Sequence, residues 1–201
     1  MHATRARSEL VVGGLVPFSS IDYPGHLAAV VFCQGCPWRC SYCHNTHLLP
    51  ACASTPMRWS DVEAFLKTRR GLLDAVVFSG GEPTVQAALP AAMRTVKAMG
   101  FLVGLHTAGI YVKRLAEVLP VVDWVGMDIK ADFDDYERVT GVPGSGRAAR
   151  SSAELIIRSG VAYQFRTTVD PCLLTASDTE LIASKLSQMG ARHHVLQACR
   201  T

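Results

Sequence analysis

The chain has 201 residues, 49% of them hydrophobic and 18% charged, with a net charge of +3. That much apolar material builds a core and excludes disorder as the main state. A charge balance this mild, with no dense Lys/Arg block, gives no argument for nucleic acid or an anionic membrane surface as a partner. Arg5 and Arg7 read as part of a solvated tail. The opening MHATRARSELVVGGLV has too short an apolar stretch for a secretory leader, and no small-residue cleavage site follows it. No window is long and apolar enough to span a bilayer. The expectation is a single cytoplasmic domain over residues 1–201.

In chain order, LAAVVFC (27–33) is a short apolar run that reads as a buried strand, and it ends at the first cysteine. A cysteine-rich loop follows. SDVE, from Ser60 to Glu63, has the pattern of a capping box and predicts a helix ending near Gly71. AVVFS (75–79) is a second buried strand. A helix follows over roughly Val85 to Met99, with a break or kink at Pro90 and a stop at Gly100. FLVGLH (101–106) is the third strand, YVKRLAEVL (111–119) a helix, and WVGMDIK (124–130) the fourth strand with its exit. DFDDYERVTGVPGSGRAARSS (132–152) reads as a surface excursion with a short helix around Asp134–Val139. SSAELIIRSG (151–160) is a helix with a glycine stop, and VAYQFRTTV (161–169) the fifth strand. SDTE (177–180) is a second capping-box pattern, opening a helix that stops at Gly190, and HHVLQA (193–198) is the sixth strand.

Strands alternating with helices imply right-handed crossovers and a parallel α/β sheet. Six units are too few for a closed eight-stranded barrel, which leaves a partial (β/α)6 barrel or a doubly wound sheet. In both, chemistry collects beyond the C-terminal ends of the strands. The unusual segments fall there: the cysteine loop after the first strand, SGGEP after the second, HTAG after the third and DIK after the fourth.

Four of the seven cysteines, Cys33, Cys36, Cys40 and Cys43, lie in CQGCPWRCSYC. Clustered thiols in a cytosolic chain read as metal binding or catalysis before disulfides. As two pairs they could hold a structural zinc, although only three residues separate the pairs, short for a zinc motif. As C-x3-C-x2-C, Cys36, Cys40 and Cys43 could hold three irons of a [4Fe–4S] cluster and leave the fourth iron open to a small molecule. Cys33 closes the last strand position of an apolar run. It is either a buried bystander or the fourth ligand of a closed, electron-carrying cluster.

C-x3-C-x2-C after the first strand, followed by SGGEP (79–83) after the second, resembles the signature of the radical S-adenosylmethionine (SAM) enzymes. Within that superfamily, IDYPGHLAAVVFCQGCPWRCSYCHN, with HTAG at 106–109 and DWVGMDIKA at 123–131, resembles the activating enzymes of glycyl-radical enzymes. It is most similar to the activating proteins of anaerobic ribonucleoside-triphosphate reductase, from about Gly13 to Thr201. Two positions depart from the pattern. His106 stands where pyruvate formate-lyase activators carry an Asp that helps to hold a monovalent cation near SAM. The chain also stops at Arg200–Thr201, where relatives run on, so a C-terminal contact to SAM is expected to be missing.

The resemblance implies that Cys36, Cys40 and Cys43 bind the cluster, with the amino and carboxylate groups of SAM on the unique iron. One electron to the sulfonium then yields methionine and a 5′-deoxyadenosyl radical. The implied partners are a glycyl-radical enzyme and an electron donor such as flavodoxin or ferredoxin. Tyr42 would pack on the adenine, and Asn45 would lie near SAM. Gly80 and Gly81 would bring backbone close to SAM, and the Glu82 carboxylate would face its ammonium. Asp128 and Lys130 alternate along one strand and so point the same way. By resemblance Lys130 meets the SAM carboxylate and Asp128 lies near SAM or the cation, with Thr107 in the same region. Arg166 alternates with apolar neighbours in QFRTTV, where an unpaired charge is costly, and is expected inside the barrel against SAM or a partner. Asp22 in IDYPG suits either an incoming substrate loop or a turn. His44, His47, His193 and His194 read as surface, loop or edge residues.

Overall fold

A computed structural model describes residues 9–52 and 55–199; Arg5, Arg7, Arg200 and Thr201 lie outside them. Its sheet has seven strands in sequential order. They are β1 (Val12–Ser19), β2 (Ala28–Cys33), β3 (Ala75–Gly80), β4 (Leu102–Thr107), β5 (Trp124–Asp128), β6 (Ala162–Val169) and β7 (His194–Ala198). Strands β2 to β7 pair in parallel, and β1 lies antiparallel along β2. The strand order ends at β1 and β7 without closing. This is the expected partial (β/α)6 barrel with one antiparallel edge strand added. No helix among the described residues is long and apolar enough to cross a membrane.

The added strand was hidden by its own composition. VGGLVPFS carries Gly13, Gly14 and Pro17, all turn formers in a sequence reading. On an edge they are tolerated, because Pro17 needs no ladder donor there and irregular register absorbs the glycines. Gly13 is needed for close approach: a Cβ on it would lie 2.3 Å from a Leu48 methyl and 2.6 Å from Gln34 Oε1.

The helices are α1 (Trp59–Lys67), α2 (Leu89–Ala98), α3 (Val112–Val118), α4 (Glu137–Thr140), α5 (Ser145–Ser159) and α6 (Ala176–Gln188). Several boundaries differ from the expected ones. Ser60 lies inside α1, whose N-cap is Arg58 with no side-chain cap; Arg58 instead clamps Asp61 with two hydrogen bonds. Pro90 does not kink a helix running from Val85. It stands in the first turn of α2, where its missing N–H costs nothing, and Pro83–Val85 form a separate 3-10 turn. The second capping box lies two residues before SDTE, with Thr175 as N-cap and Asp178 as its reciprocal partner. The excursion at 132–152 is not irregular to its end, because α5 already begins at Ser145. Gly146 permits this: a Cβ there would fall 1.8 Å from the Phe133 carbonyl oxygen.

Alternation along each strand separates two faces. Val31, Phe78, Leu105, Met127 and Phe165 are fully buried in the main core, which contains Val62 of α1, Met93 of α2 and Ile156 of α5. Ala28, Val30, Ala75 and Val77 point the other way, into a smaller cluster closed by Tyr23 and Trp124. Those two rings lie 5.4 Å apart and plug the barrel floor. One layer further along the strands, the same inner face turns polar with Ser79, His106, Asp128 and Arg166.

Candidate active site

That polar layer forms the base of a cavity of about 630 Å³ at the C-terminal ends of the strands. Cys36, Cys40 and Cys43 line it, as do Tyr42, Asn45, Gly80, Gly81, Thr107, Asp128, Lys130 and Arg166. Of the residues singled out in the sequence for the metal or SAM, Cys33 and Glu82 are not on its wall.

The cysteine loop is held from both sides by backbone hydrogen bonds. Gly35 N and Cys36 N donate to the Leu48 and Leu49 carbonyls at 2.8 and 3.1 Å, while Arg39 N and Ser41 N donate to Thr140 and Val139 at 3.0 and 3.3 Å. Trp38, 3% exposed, packs edge-on against Tyr136 at 5.7 Å. Cys33 is separate: it is fully buried and belongs to the main core with Val31 and Ala29. Burial pushes its thiol well above the ordinary range, so it is a poor thiolate ligand. Both closed four-cysteine readings, zinc and electron carrier, need Cys33 as a ligand, and its position on the helix-facing side of the sheet removes it.

Three thiols on one wall at C-x3-C-x2-C spacing suit an iron–sulfur cluster, which takes its thiolates on different irons. Burial raises the Cys36 thiol to about 11, against a Trp38 backbone hydrogen bond that lowers it, and burial raises Cys40 as well. Thiols in such a place become ligands when a soft, cationic centre takes their charge.

The glycines have a reason that the motif did not disclose. Gly80 has φ +115°, and a Cβ there would lie 2.4 Å from the Cys33 amide nitrogen. A Cβ on Gly81 would lie 2.4 Å from the Gly35 carbonyl oxygen, all of it backbone. The two glycines let the turn after β3 abut the root of the cysteine loop, where Gly81 N donates to Cys33 O and Glu82 N to Gly35 O, both at 2.9 Å. Gly81→Ala is therefore expected to cost at least about 3 kcal/mol and to lower iron incorporation with it, measurable by urea unfolding and iron assay.

Glu82 departs from the expected role. It is fully buried, and its carboxylate is committed inside the protein. Oε1 accepts from Thr84 N, Thr84 Oγ1 and Thr107 Oγ1, and Oε2 accepts from Ala108 N, all at 2.6 to 3.1 Å. It ties the turn after β3 to the end of β4 and leaves backbone, not carboxylate, facing the cavity.

On the opposite wall Lys130 Nζ lies 5.5 Å over the Tyr42 ring and 3.6 Å from Asp128 Oδ2. Burial raises the Tyr42 phenol to about 12, with Lys130 opposing, so the ring is neutral at working pH. Asn45 caps the 3-10 turn Thr46–Leu48 through its backbone alone, which leaves its amide for the cavity. Sequence reasoning missed Tyr136, at the start of the supposed surface excursion. It is 1% exposed; its hydroxyl donates to the Asp128 carbonyl at 3.2 Å and accepts from Lys130 N at 3.0 Å, holding the chain between those two side chains. An aromatic residue set among acidic neighbours in DFDDYERV was the available signal.

His106 points inward, its ring nitrogens engaged. Nε2 lies 2.8 Å from the Asp22 carbonyl oxygen, and Nδ1 faces Ser79 Oγ at 3.5 Å. A carbonyl only accepts, so Nε2 carries the proton of the neutral ring. Burial first, then the Arg166 charge, lower its pKa from 6.5 to about 4. A folded pKa below the unfolded one gives stability that is present above pH 6.5 and lost as pH falls toward 4. Cluster-free protein should lose on the order of 2 kcal/mol on this account between those limits, and His106→Gln should remove that part of the acid limb in denaturant melts at successive pH values.

An open parallel barrel with three thiols and a polar layer at its C-terminal mouth defines a class. The family model of the radical SAM superfamily matches residues 30–181. The fold agrees with that of Streptococcus suis SuiB bound to S-adenosylmethionine, at a TM-score of 0.64 and 12% identity over 84% of this chain and 39% of that one. The chain belongs to the radical SAM superfamily, whose chemistry uses a [4Fe–4S] cluster and SAM.

Within it the chain belongs with the glycyl-radical-enzyme activating proteins. It is 33% identical over 181 residues to the Methanocaldococcus jannaschii protein named "Putative glycyl-radical enzyme activating enzyme MJ1227", covering 86% of this chain and 74% of that one. It is 32% identical over 186 residues to the pyruvate formate-lyase-activating enzyme of Streptococcus mutans, covering 86% and 69%.

Proposed function

We propose that this protein is an activase that generates a glycyl radical on anaerobic ribonucleoside-triphosphate reductase. The observation that carries the radical SAM part is the division of the thiols: Cys36, Cys40 and Cys43 on the cavity wall, Cys33 in the core. The three would hold the cluster and leave one iron for the amino and carboxylate groups of SAM. Bound there, cluster and SAM would supply hydrogen-atom abstraction at the Cα of one partner glycine, drawing one electron from a flavodoxin- or ferredoxin-type donor and releasing methionine and 5′-deoxyadenosine.

The chain's own groups orient and exclude. Lys130, held by Tyr136 and Asp128, offers its ammonium to the SAM carboxylate. The Tyr42 ring is a face for the adenine. The open edge of the barrel suits a protein loop as substrate, and Ile21, 76% exposed beside Asp22 at the mouth, gives such a loop an apolar contact. The choice of the reductase as partner rests on likeness in sequence alone.

The test is anaerobic. Protein reconstituted with iron and sulfide is mixed with SAM, dithionite and either the reductase or pyruvate formate-lyase. Chromatography for 5′-deoxyadenosine and electron paramagnetic resonance for the glycyl radical are then read together. A radical on the reductase and none on the lyase supports the reading. A radical only on the lyase overturns the partner, and 5′-deoxyadenosine with no radical on either points to a small-molecule substrate.

A further inference from the structure

One group that the family pattern brings to this site does not fit. A bound monovalent cation needs several oxygens free to surround it, as hard cations do. Here His106 stands at the position of the family's carboxylate, and the Asp22 carbonyl oxygen is engaged by its Nε2. Asp128 Oδ1 accepts from Arg166 Nε at 3.1 Å and Nη2 at 2.9 Å, and Oδ2 faces Lys130. Both Asp128 oxygens are thus taken up by cations of the protein itself.

We propose that the guanidinium of Arg166 is the permanent cation of this site, in the place of a metal ion, and that it positions Asp128 for SAM; the proposal rests on the radical SAM reading. Three observations support it. First, the site is built for the guanidinium. Arg166 on β6 is the register partner of Asp128 on β5, and Gly126, two residues before, has no side chain where Arg166 crosses. A Cβ on Gly126 would lie 3.1 Å from Arg166 Cζ and 2.7 Å from Trp124 Cη2. Second, the Asp128 carboxylate already faces two cations of the chain, Arg166 and Lys130. A further cation beside Asp128 would stand against both in a largely buried place, which is unfavourable. Third, Arg166 keeps donor capacity toward the cavity. His106 Nε2, 3.2 Å from Nη1, is itself a donor and cannot accept from it. A guanidinium does not lose its proton at any working pH, so the charge is constant. Consistently, the Asp128 carboxyl is held below its usual range: burial raises it, and Arg166, then Lys130, outweigh burial.

The experiment compares sodium, potassium and tetramethylammonium chloride at one ionic strength, the last too large for a cation cage. Cluster-reconstituted protein should bind SAM with the same Kd in all three, within about threefold. The melting temperature of cluster-free protein should agree within about 1 °C. Affinity more than about threefold tighter in sodium or potassium than in tetramethylammonium overturns the proposal while leaving the radical SAM reading intact. SAM that binds in none of the salts, to protein with a full cluster, overturns both. Arg166→Met should weaken SAM binding by at least about tenfold, with Arg166→Lys recovering part of it. Undiminished affinity in Arg166→Met also refutes the role, and if that variant does not fold, the wild-type salt comparison still decides.

Discussion

Cys40→Ala is expected to abolish 5′-deoxyadenosine formation, by at least about 100-fold, whereas Cys33→Ala should retain the cluster and the product. The two residues lie in the same short stretch of sequence, but Cys33 still belongs to β2 and faces the core, whereas Cys40 faces the cavity. Cys40 is on the cavity wall, its thiol made costly to ionise by burial and eased by Lys130. Cys33 closes β2 with its side chain among Ala29, Val31 and the helices. Its loss removes one sulfur from a packed core and should cost roughly 1 kcal/mol. Iron and sulfide content, the visible absorption of the cluster and product chromatography on both variants decide the matter. Loss of iron from Cys33→Ala without unfolding would restore the four-ligand reading.

Glu82→Ala should be the most destabilising single change near the site, at roughly 3–5 kcal/mol. Truncation strands four donors, two of them backbone amides, three of the four on fully or almost fully buried residues. It also cuts the link between the turn after β3 and the end of β4, two walls of one cavity. Burial raises the Glu82 carboxyl above its ordinary value although those hydrogen bonds pull it back, so the site holds the group at some cost and only because all its partners are present. Urea unfolding of cluster-free protein measures the effect. A loss below about 1 kcal/mol would mean that the four donors find other partners and that the tie is unimportant.

What could be read from the sequence follows from what each residue type can signal. Strands β2 to β5 are apolar runs because helices cover one of their faces and the plugged barrel interior the other, and such runs are conspicuous. Strand β1 was not legible, because Gly13, Gly14 and Pro17 signal turns unless the strand is known to be an edge. The early start of α5 was hidden by Gly144, its N-cap at φ +70°, and by Gly146, which lets the helix approach Phe133. At the site, residue identity was legible and direction was not. The GGE signature brought Glu82 to the right turn, but nothing in three letters says whether its carboxylate points into the cavity or behind it. Tyr136 was passed over because its partners are backbone atoms of Asp128 and Lys130, which leave no trace in the side chains around it.

The polar layer at the cavity floor takes one residue from each of four successive strands, from Ser79 on β3 to Arg166 on β6. During synthesis, N-terminal segments leave the ribosome first. The ligand thiols, complete by Cys43, are therefore outside long before Lys130 and Arg166 exist to cover them. Through that interval they are ordinary exposed cysteines, open to oxygen and to stray metals. The cavity that encloses these thiols is therefore complete only once β5 and β6 are in place.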